Sequence, residues 1–163
     1  MDVLWAPWRM AYVGGPAGAG CIFCAALAGD ARGRLVVCTT RDTVVMLNRY
    51  PYASGHLLVA PRRHTADLAG LAADEYADLA ETLRRAAATL EHELRPQGMN
   101  LGMNLGAAAG AGVTDHLHWH VVPRWIGDTN FMTTVAEARV MPQHLLDTYD
   151  RLRPAFERLD ART

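Results

Sequence analysis

His116-Leu117-His118-Trp119-His120-Val121-Val122 alternates three imidazoles with bulky apolar side chains. A period of two fits a β-strand, where successive side chains point to opposite faces. The pattern therefore predicts one face of histidines and one core face of Leu117, Trp119 and Val121. At a rise of roughly 3.3 Å per residue, neighbouring imidazoles start ~6.6 Å apart, a span that one phosphate group bridges. Such a face can bind a metal, move protons or attack as a nucleophile. The upstream segment narrows the choice. Gly106-Ala-Ala-Ala-Gly110-Ala-Gly112 exposes backbone N–H groups of the kind that cradle phosphate oxygens, and Asn104 adds a side-chain amide. Together they favour phosphate chemistry over a bare metal site.

The rest of the chain sets limits on that chemistry. Its 163 residues, 50% hydrophobic, suffice for one well-buried core. A net charge of −1 provides no global field to recruit nucleic acid or an anionic membrane. No apolar run reaches the length of a membrane span, and the N-terminus lacks a signal peptide's basic-then-apolar layout, so a cytoplasmic location is expected. The 16 basic residues are all arginine. Schiff-base lysine chemistry and a Walker-type phosphate lysine are thereby excluded. Bound phosphate must be held by Arg, His, backbone N–H groups or a metal. Cys21-Ile22-Phe23-Cys24 is a C-x-x-C pair with redox and metal readings open, whereas Cys38, in an apolar stretch, reads as an inert buried thiol.

Along the chain, residues 1–20 read as an irregular arm carrying Trp5 and Trp8, and residues 21–163 as one domain. Strands are predicted at Arg34 to Cys38, Thr43 to Asn48, His56 to Ala60 and Asn100 to Leu105, besides the histidine strand. Asp74 to Leu94 is a clear helix, with Tyr76, Leu79, Leu83, Leu90 and Leu94 as its apolar stripe. Asp74 and Glu75 suit its start, and Pro96 and Gly98 its end. The stretch Pro142 to Leu159 carries a second helical stripe, interrupted by Pro154. His92 reads as a surface residue. These elements favour an α+β architecture: an antiparallel sheet of about five strands, one long packed helix and a C-terminal helix.

The histidine run resembles the histidine-triad motif, His-φ-His-φ-His-φ-φ, of the HIT superfamily of nucleotide hydrolases and transferases. Gly55-His56-Leu-Leu-Val-Ala-Pro61 is similar to that superfamily's G-H-φ-φ-φ-x-P strand, and Asn48 stands eight residues before His56. Asn104-Leu-Gly106 resembles its N-x-G segment. Trp5-Ala-Pro-Trp-Arg9, Val122-Pro-Arg-Trp125 and Gly127-Asp-Thr-Asn-Phe131 resemble the bacterial diadenosine tetraphosphate phosphorylase branch. The resemblance implies a HIT-like fold, a homodimer that extends the sheet, and nucleotidyl transfer from a dinucleoside polyphosphate to phosphate. Within the superfamily the alternatives are hydrolysis of dinucleoside polyphosphates or nucleoside phosphoramidates, and nucleotidyl transfer involving a sugar phosphate. A catalytically inert nucleotide-binding protein is the rival from another class.

Position by position, the resemblance makes His118 the nucleophile that forms a nucleotidyl–histidine intermediate. His120 and His56 would contact phosphoryl oxygens or the leaving group. Asn104 and the N–H groups around Gly106 and Gly112 would bind phosphate oxygens, Asn48 the ribose, and Leu47 the base, with Trp125 helping to form the nucleotide site. Arg62, Arg63 and Arg124 are candidate partners for polyphosphate, at least one of them reading as solvated charge. Zinc-bearing members imply a structural metal on Cys21, Cys24, His64 and His116, and no organic cofactor. Two departures stand out. The loop 106–112 lacks the hydroxyl residues common in the family, leaving Thr114 as the nearby hydroxyl, and one lost hydrogen bond to a charged phosphate costs roughly 1.5–3 kcal/mol. Trp119 is also bulkier than the usual aliphatic residue between triad histidines.

Overall fold

Thr43-Val-Val-Met-Leu47 and Leu57-Leu-Val-Ala-Pro61 carry apolar residues without alternation, the pattern of strands covered on both faces. The computed structural model describes residues 20–128 and 143–160, so the expected arm before Gly20 and the motif residues after Asp128 lie outside the described residues. In chain order the elements are α1 (Ile22–Leu27), β1 (Val36–Thr39), β2 (Thr43–Leu47), β3 (Leu57–Pro61), α2 (Ala73–Leu94), β4 (Gly98–Met103), β5 (Trp119–Arg124) and α3 (Leu145–Asp160). The five strands form one antiparallel sheet in the order β1-β2-β3-β5-β4.

Every residue of β2 and β3 is buried. One face packs Val45, Leu47, Leu57, Val59 and Val121 beneath Leu79, Ala86 and Leu90 of α2 and Leu152 and Phe156 of α3. The opposite face packs Val36, Val44, Met46, Leu58 and Ala60 against Phe23 and Ala26 of α1. Strand β4 bonds only to β5 and is largely exposed, with Leu101 at 45%.

The buried stripe of α2 is Leu79, Thr82, Ala86, Thr89 and Leu90, whereas Tyr76 is exposed. Sequence pattern placed Tyr76 in that stripe. Leu79, Leu83, Leu90 and Leu94 do pack on the core, joined by Thr82, Ala86 and Thr89, and the Thr89 hydroxyl donates to Arg85 O (2.9 Å), so its burial leaves no orphan donor. At the other end of α2, Asp78 accepts from the Thr40 hydroxyl (2.6 Å) and the Thr43 hydroxyl (2.7 Å), fastening the β1–β2 turn to the helix. The Glu75 carboxylate accepts from Ala72 N–H (2.9 Å) at the helix start, and Arg95 ends the helix in the left-handed conformation. Pro154 does not break α3. The loss of roughly 3 kcal/mol for a mid-helix proline is opposed by Leu152 and Phe156, both buried in the core.

Candidate active site and metal centre

Strand β5 begins at Trp119, so His116 and His118 precede the strand instead of lying within it. Pairing with β3 starts only at Val59↔Trp119, and Leu117 N–H goes to Thr65 O (2.8 Å) outside the ladder. Alternation survives nonetheless. Trp119 and Val121 pack on the helix-covered face, and His120 pairs with Leu58 on the other. The rings of His118 and His120 lie 5.0 Å apart. His116 turns towards α1.

Backbone groups fix which nitrogen of each imidazole holds a proton. His118 Nδ1 faces His116 O at 2.9 Å. A carbonyl only accepts, so Nδ1–H donates and the lone pair is on Nε2. Burial pushes the His118 pKa down, which keeps that lone pair free near neutral pH. Tyr52 N–H donates to His56 Nδ1 (3.1 Å), leaving the His56 proton on Nε2, which faces His120 Nδ1 at 2.9 Å. His120 Nδ1 therefore accepts, which puts the His120 proton on Nε2. His56 is fully buried, and desolvation, helped by His120 and His118, lowers its pKa to about 3.

Two cavities adjoin these rings. A cavity of about 160 Å³ is lined by His118 and His120, Asn48, the apolar Ile22, Met46 and Leu58, and Gly110 and Gly112 of the small-residue loop. A second, of about 340 Å³, lies over β4 and shares Tyr52, Asn104 and His120 with the first. Asn48 lines the first cavity while its carboxamide accepts from Tyr50 N–H (2.9 Å), so it also braces the turn.

Several expected residues lie elsewhere. Leu47 is fully buried in the helix-side core; Met46, its neighbour of opposite orientation, takes the cavity position. Gly106, Thr114 and Trp125 line neither cavity. Gly106 starts the short turn Ala107–Ala109 with φ +77°, Thr114 is exposed, and Trp125 follows the end of β5. Arg62 donates to the Thr40 and Arg41 carbonyls, and Arg63 grips Glu75 with two hydrogen bonds (2.8 and 2.9 Å). Arg124 is paired with Asp128 but reaches the larger cavity.

Two site residues have no counterpart in the sequence reading. Tyr52 donates to His56 and lays its ring against His120, centroids 5.9 Å apart and 20° from parallel. Phe23, fully buried, backs His116 at 4.8 Å and His118 at 5.1 Å. The available signal for Phe23 was an aromatic residue inside a C-x-x-C.

Cys21, Cys24, His64 and His116 converge so that one ligand atom from each lies within 4.8 Å of all the others. Cys21 Sγ is 3.1 Å and Cys24 Sγ 3.8 Å from His116 Nδ1, Cys24 Sγ is 3.4 Å from His64 Nδ1, and the two Nδ1 atoms are 3.2 Å apart. Tetrahedral zinc bonds of ~2.05 Å to nitrogen and ~2.3 Å to sulfur imply edges of about 3.3 Å for N···N and about 3.6 Å for N···S, so the donor set fits that ion. His116 Nε2–H donates to Pro61 O (2.8 Å), and His64 Nε2 faces Asp115 at 3.5 Å. Both outer contacts turn an Nδ1 lone pair inward, as metal-ligating histidines require. These four residues can hold a metal.

The HIT domain family matches residues 32–125. An AP-4-A phosphorylase of Mycobacterium tuberculosis is 44% identical over 114 residues, covering 70% of this chain. The match spans 58% of that relative's length. A HIT-like protein of Saccharolobus solfataricus is 32% identical over 112 residues, 69% of this chain and 79% of that one. Among solved structures, a zinc-bound histidine triad family protein from Mycobacterium smegmatis superposes with a TM-score of 0.68 at 30% identity, over 88% of this chain and 98% of its own. With the fold, the three imidazoles and these relatives in agreement, the chain belongs to the HIT domain family.

Proposed function

We propose that this chain is a nucleotidyl transferase that cleaves dinucleoside polyphosphates through a covalent nucleotidyl–His118 intermediate and passes the nucleotide to inorganic phosphate. The observation that carries the reading is the state of His118, a neutral imidazole whose Nδ1 is bound to His116 O, leaving the Nε2 lone pair, in a side chain that lines a cavity walled by apolar Ile22, Met46 and Leu58 and by Arg34 and Arg49. Ile22, Met46 and Leu58 supply a slot for a base, with Asn48 beside the ribose. The Nε2 lone pair forms a bond to the α-phosphorus. The bridging P–O bond breaks, its electron pair staying on the departing oxygen, towards which His120 Nε2–H donates. A phosphate oxygen then attacks phosphorus, the P–N bond breaks, and His118 is restored. The 44%-identical AP-4-A phosphorylase supports phosphate as the acceptor over water.

Zinc on Cys21, Cys24, His64 and His116 would be structural, tying α1 to the β3–α2 connection and to the segment before His118. The open ladder of β4, with Leu101 and Leu105 exposed, supports pairing with a second copy of the chain, read out as dimer mass in light scattering. Free thiols at the metal cluster suit the reducing cytoplasm, and among the described residues no helix is long and apolar enough to cross a membrane.

Incubation with diadenosine tetraphosphate, with and without inorganic phosphate, tests the reaction. Phosphate-dependent ADP release is expected, together with an acid-labile nucleotide adduct that His118→Ala abolishes. AMP and ATP released without phosphate would mean a hydrolase, and no turnover with no adduct would refute the enzyme reading.

A further inference from the structure

The cavity that His118 lines also has Arg34 and Arg49 in its wall, together with Asn48. Arg32, Arg41, Arg63 and Arg124 each grip a carboxylate, but the Arg34 guanidinium has neither an ion pair nor a hydrogen bond among the described residues. Asp30, the carboxylate of the same turn, is taken by Gly33 N–H (2.5 Å). Arg49 donates to Gly33 O (3.1 Å), which sets it next to Arg34 and supplies no counter-charge.

The backbone holds Arg34 in that wall. Leu35 is left-handed (φ +63°), a strained conformation for a leucine. Its side chain is buried in the helix-side core, while Arg34, its neighbour, turns to the cavity on the other face. Arg34 N–H donates to Asp30 O (2.9 Å). A Cβ on Gly29 would stand 2.9 Å from Arg34 Cγ and Nε, so the bare glycine leaves room for that side chain.

Strand order separates the two arginines from the nucleophile. β1 starts and β2 ends at one end of the sheet, whereas β5, parallel to β2, starts at the other. Arg34 precedes β1 and Arg49 follows β2, while His118 precedes β5. At roughly 4.8 Å between neighbouring strands, β2 lies about 10 Å and β1 about 14 Å from β5. The two guanidinium groups therefore face a part of the ligand other than the phosphorus that His118 attacks.

We propose that Arg34 and Arg49 form a subsite for a phosphate on the ribose, so that nucleotides phosphorylated at the 2′ or 3′ hydroxyl are ligands of this chain. This rests on the nucleotide reading above, with Asn48 beside the ribose. Asn48 and Arg49 are consecutive, and Arg34 is joined to Arg49 through Gly33, so a phosphate on that ribose comes within reach of both. Guanidinium groups are donors only, and their paired N–H groups match phosphate oxygens. A plain ribose hydroxyl leaves two neighbouring cations uncompensated; a phosphate there removes their repulsion.

Titration calorimetry on the full chain supplied with zinc tests the subsite, with AMP, adenosine 2′,5′-bisphosphate, adenosine 3′,5′-bisphosphate and GMP as ligands. At least one bisphosphate is expected to bind ~10-fold or more tightly than AMP. Arg34→Met is expected to cut that ratio below about threefold, with Arg34→Lys intermediate. The ratio is read within each variant, so a general loss of structure, which weakens both ligands, does not mimic the result. Should the methionine variant fail to fold, Arg34→Lys and Arg49→Met carry the comparison. No advantage for either bisphosphate, or an advantage that survives Arg34→Met, overturns the subsite. A guanidinium also pairs with O6 and N7 of guanine, so a tenfold preference for GMP over AMP that Arg34→Met removes would assign Arg34 to the base and overturn it too. Failure of all four ligands to bind refutes the nucleotide reading itself, and the subsite falls with it.

Discussion

Gly55→Ala isolates the backbone demand that places His56. Gly55 is buried at φ +80°, and a Cβ there would lie 2.4 Å from Leu94 Cδ1 and 3.4 Å from both Leu90 Cδ2 and Pro123 Cγ. Two costs follow. Holding an L-residue in the left-handed region costs roughly 1–2 kcal/mol. Forcing a methyl into an occupied space costs roughly 1–3 kcal/mol, towards the lower end here because the closest atom ends a flexible side chain. Reduced freedom of the unfolded chain returns about 0.4–1 kcal/mol, so a net loss of about 2–3 kcal/mol is expected. Urea unfolding with linear extrapolation, on the metal-loaded protein, measures it. Leu94→Ala removes the clashing methyl, so in that background Gly55→Ala should cost only the backbone strain, about 1 kcal/mol. A loss below ~0.5 kcal/mol in the parent, or the same loss in both backgrounds, would refute the argument.

The proton balance of His56 predicts a pH dependence. Its native pKa of about 3 lies below the 6.5 of the unfolded chain, so the stability it contributes is complete above pH 6.5 and is lost as pH falls towards 3. At 1.36 kcal/mol per unit, the loss between pH 6.5 and 5 is about 2 kcal/mol, and His56→Asn, which cannot titrate, should flatten the urea-midpoint profile over that window by this amount. Replacing the same residue also tests its link to His120: His56→Phe should lower kcat by roughly 10–100-fold with little change in nucleotide affinity, and His56→Gln, which retains a donor, should recover part of it. Elemental analysis should find one zinc per chain, and Cys24→Ala or a strong chelator should remove it and lower Tm by more than ~5 °C; an unchanged Tm would exclude a structural metal.

The sequence pattern was most legible where one period governs several residues. The five strands and the long helix follow from apolar runs, alternation and helical spacing, and the convergence of C-x-x-C with His64 and His116 is what the family resemblance implied. It was least legible where one residue decides between faces. Leu47 and Met46 are adjacent and both apolar in a strand buried on both sides, so nothing in their chemistry says which meets a ligand. Only the register with β3, which sets Met46 opposite Leu58, does so. Tyr52 escaped for a different reason. Its donor is a backbone N–H, which every residue but proline possesses and which only the fold of the 48–56 turn can aim at an imidazole.

Three imidazoles of similar intrinsic chemistry are given different tasks by the backbone atoms they meet. Pro61 O accepts from Nε2–H of His116 and turns its Nδ1 towards two sulfurs; His116 O accepts from Nδ1–H of His118 and leaves the lone pair on Nε2. Tyr52 N–H, acting through His56, makes His120 Nδ1 an acceptor and its Nε2 a donor. A regular strand would have sent those carbonyls and amides to its neighbours. The delay of β5 until Trp119 has a direct consequence: the two residues before it give up ladder geometry, and the His116 carbonyl released by that irregularity sets the tautomer of His118.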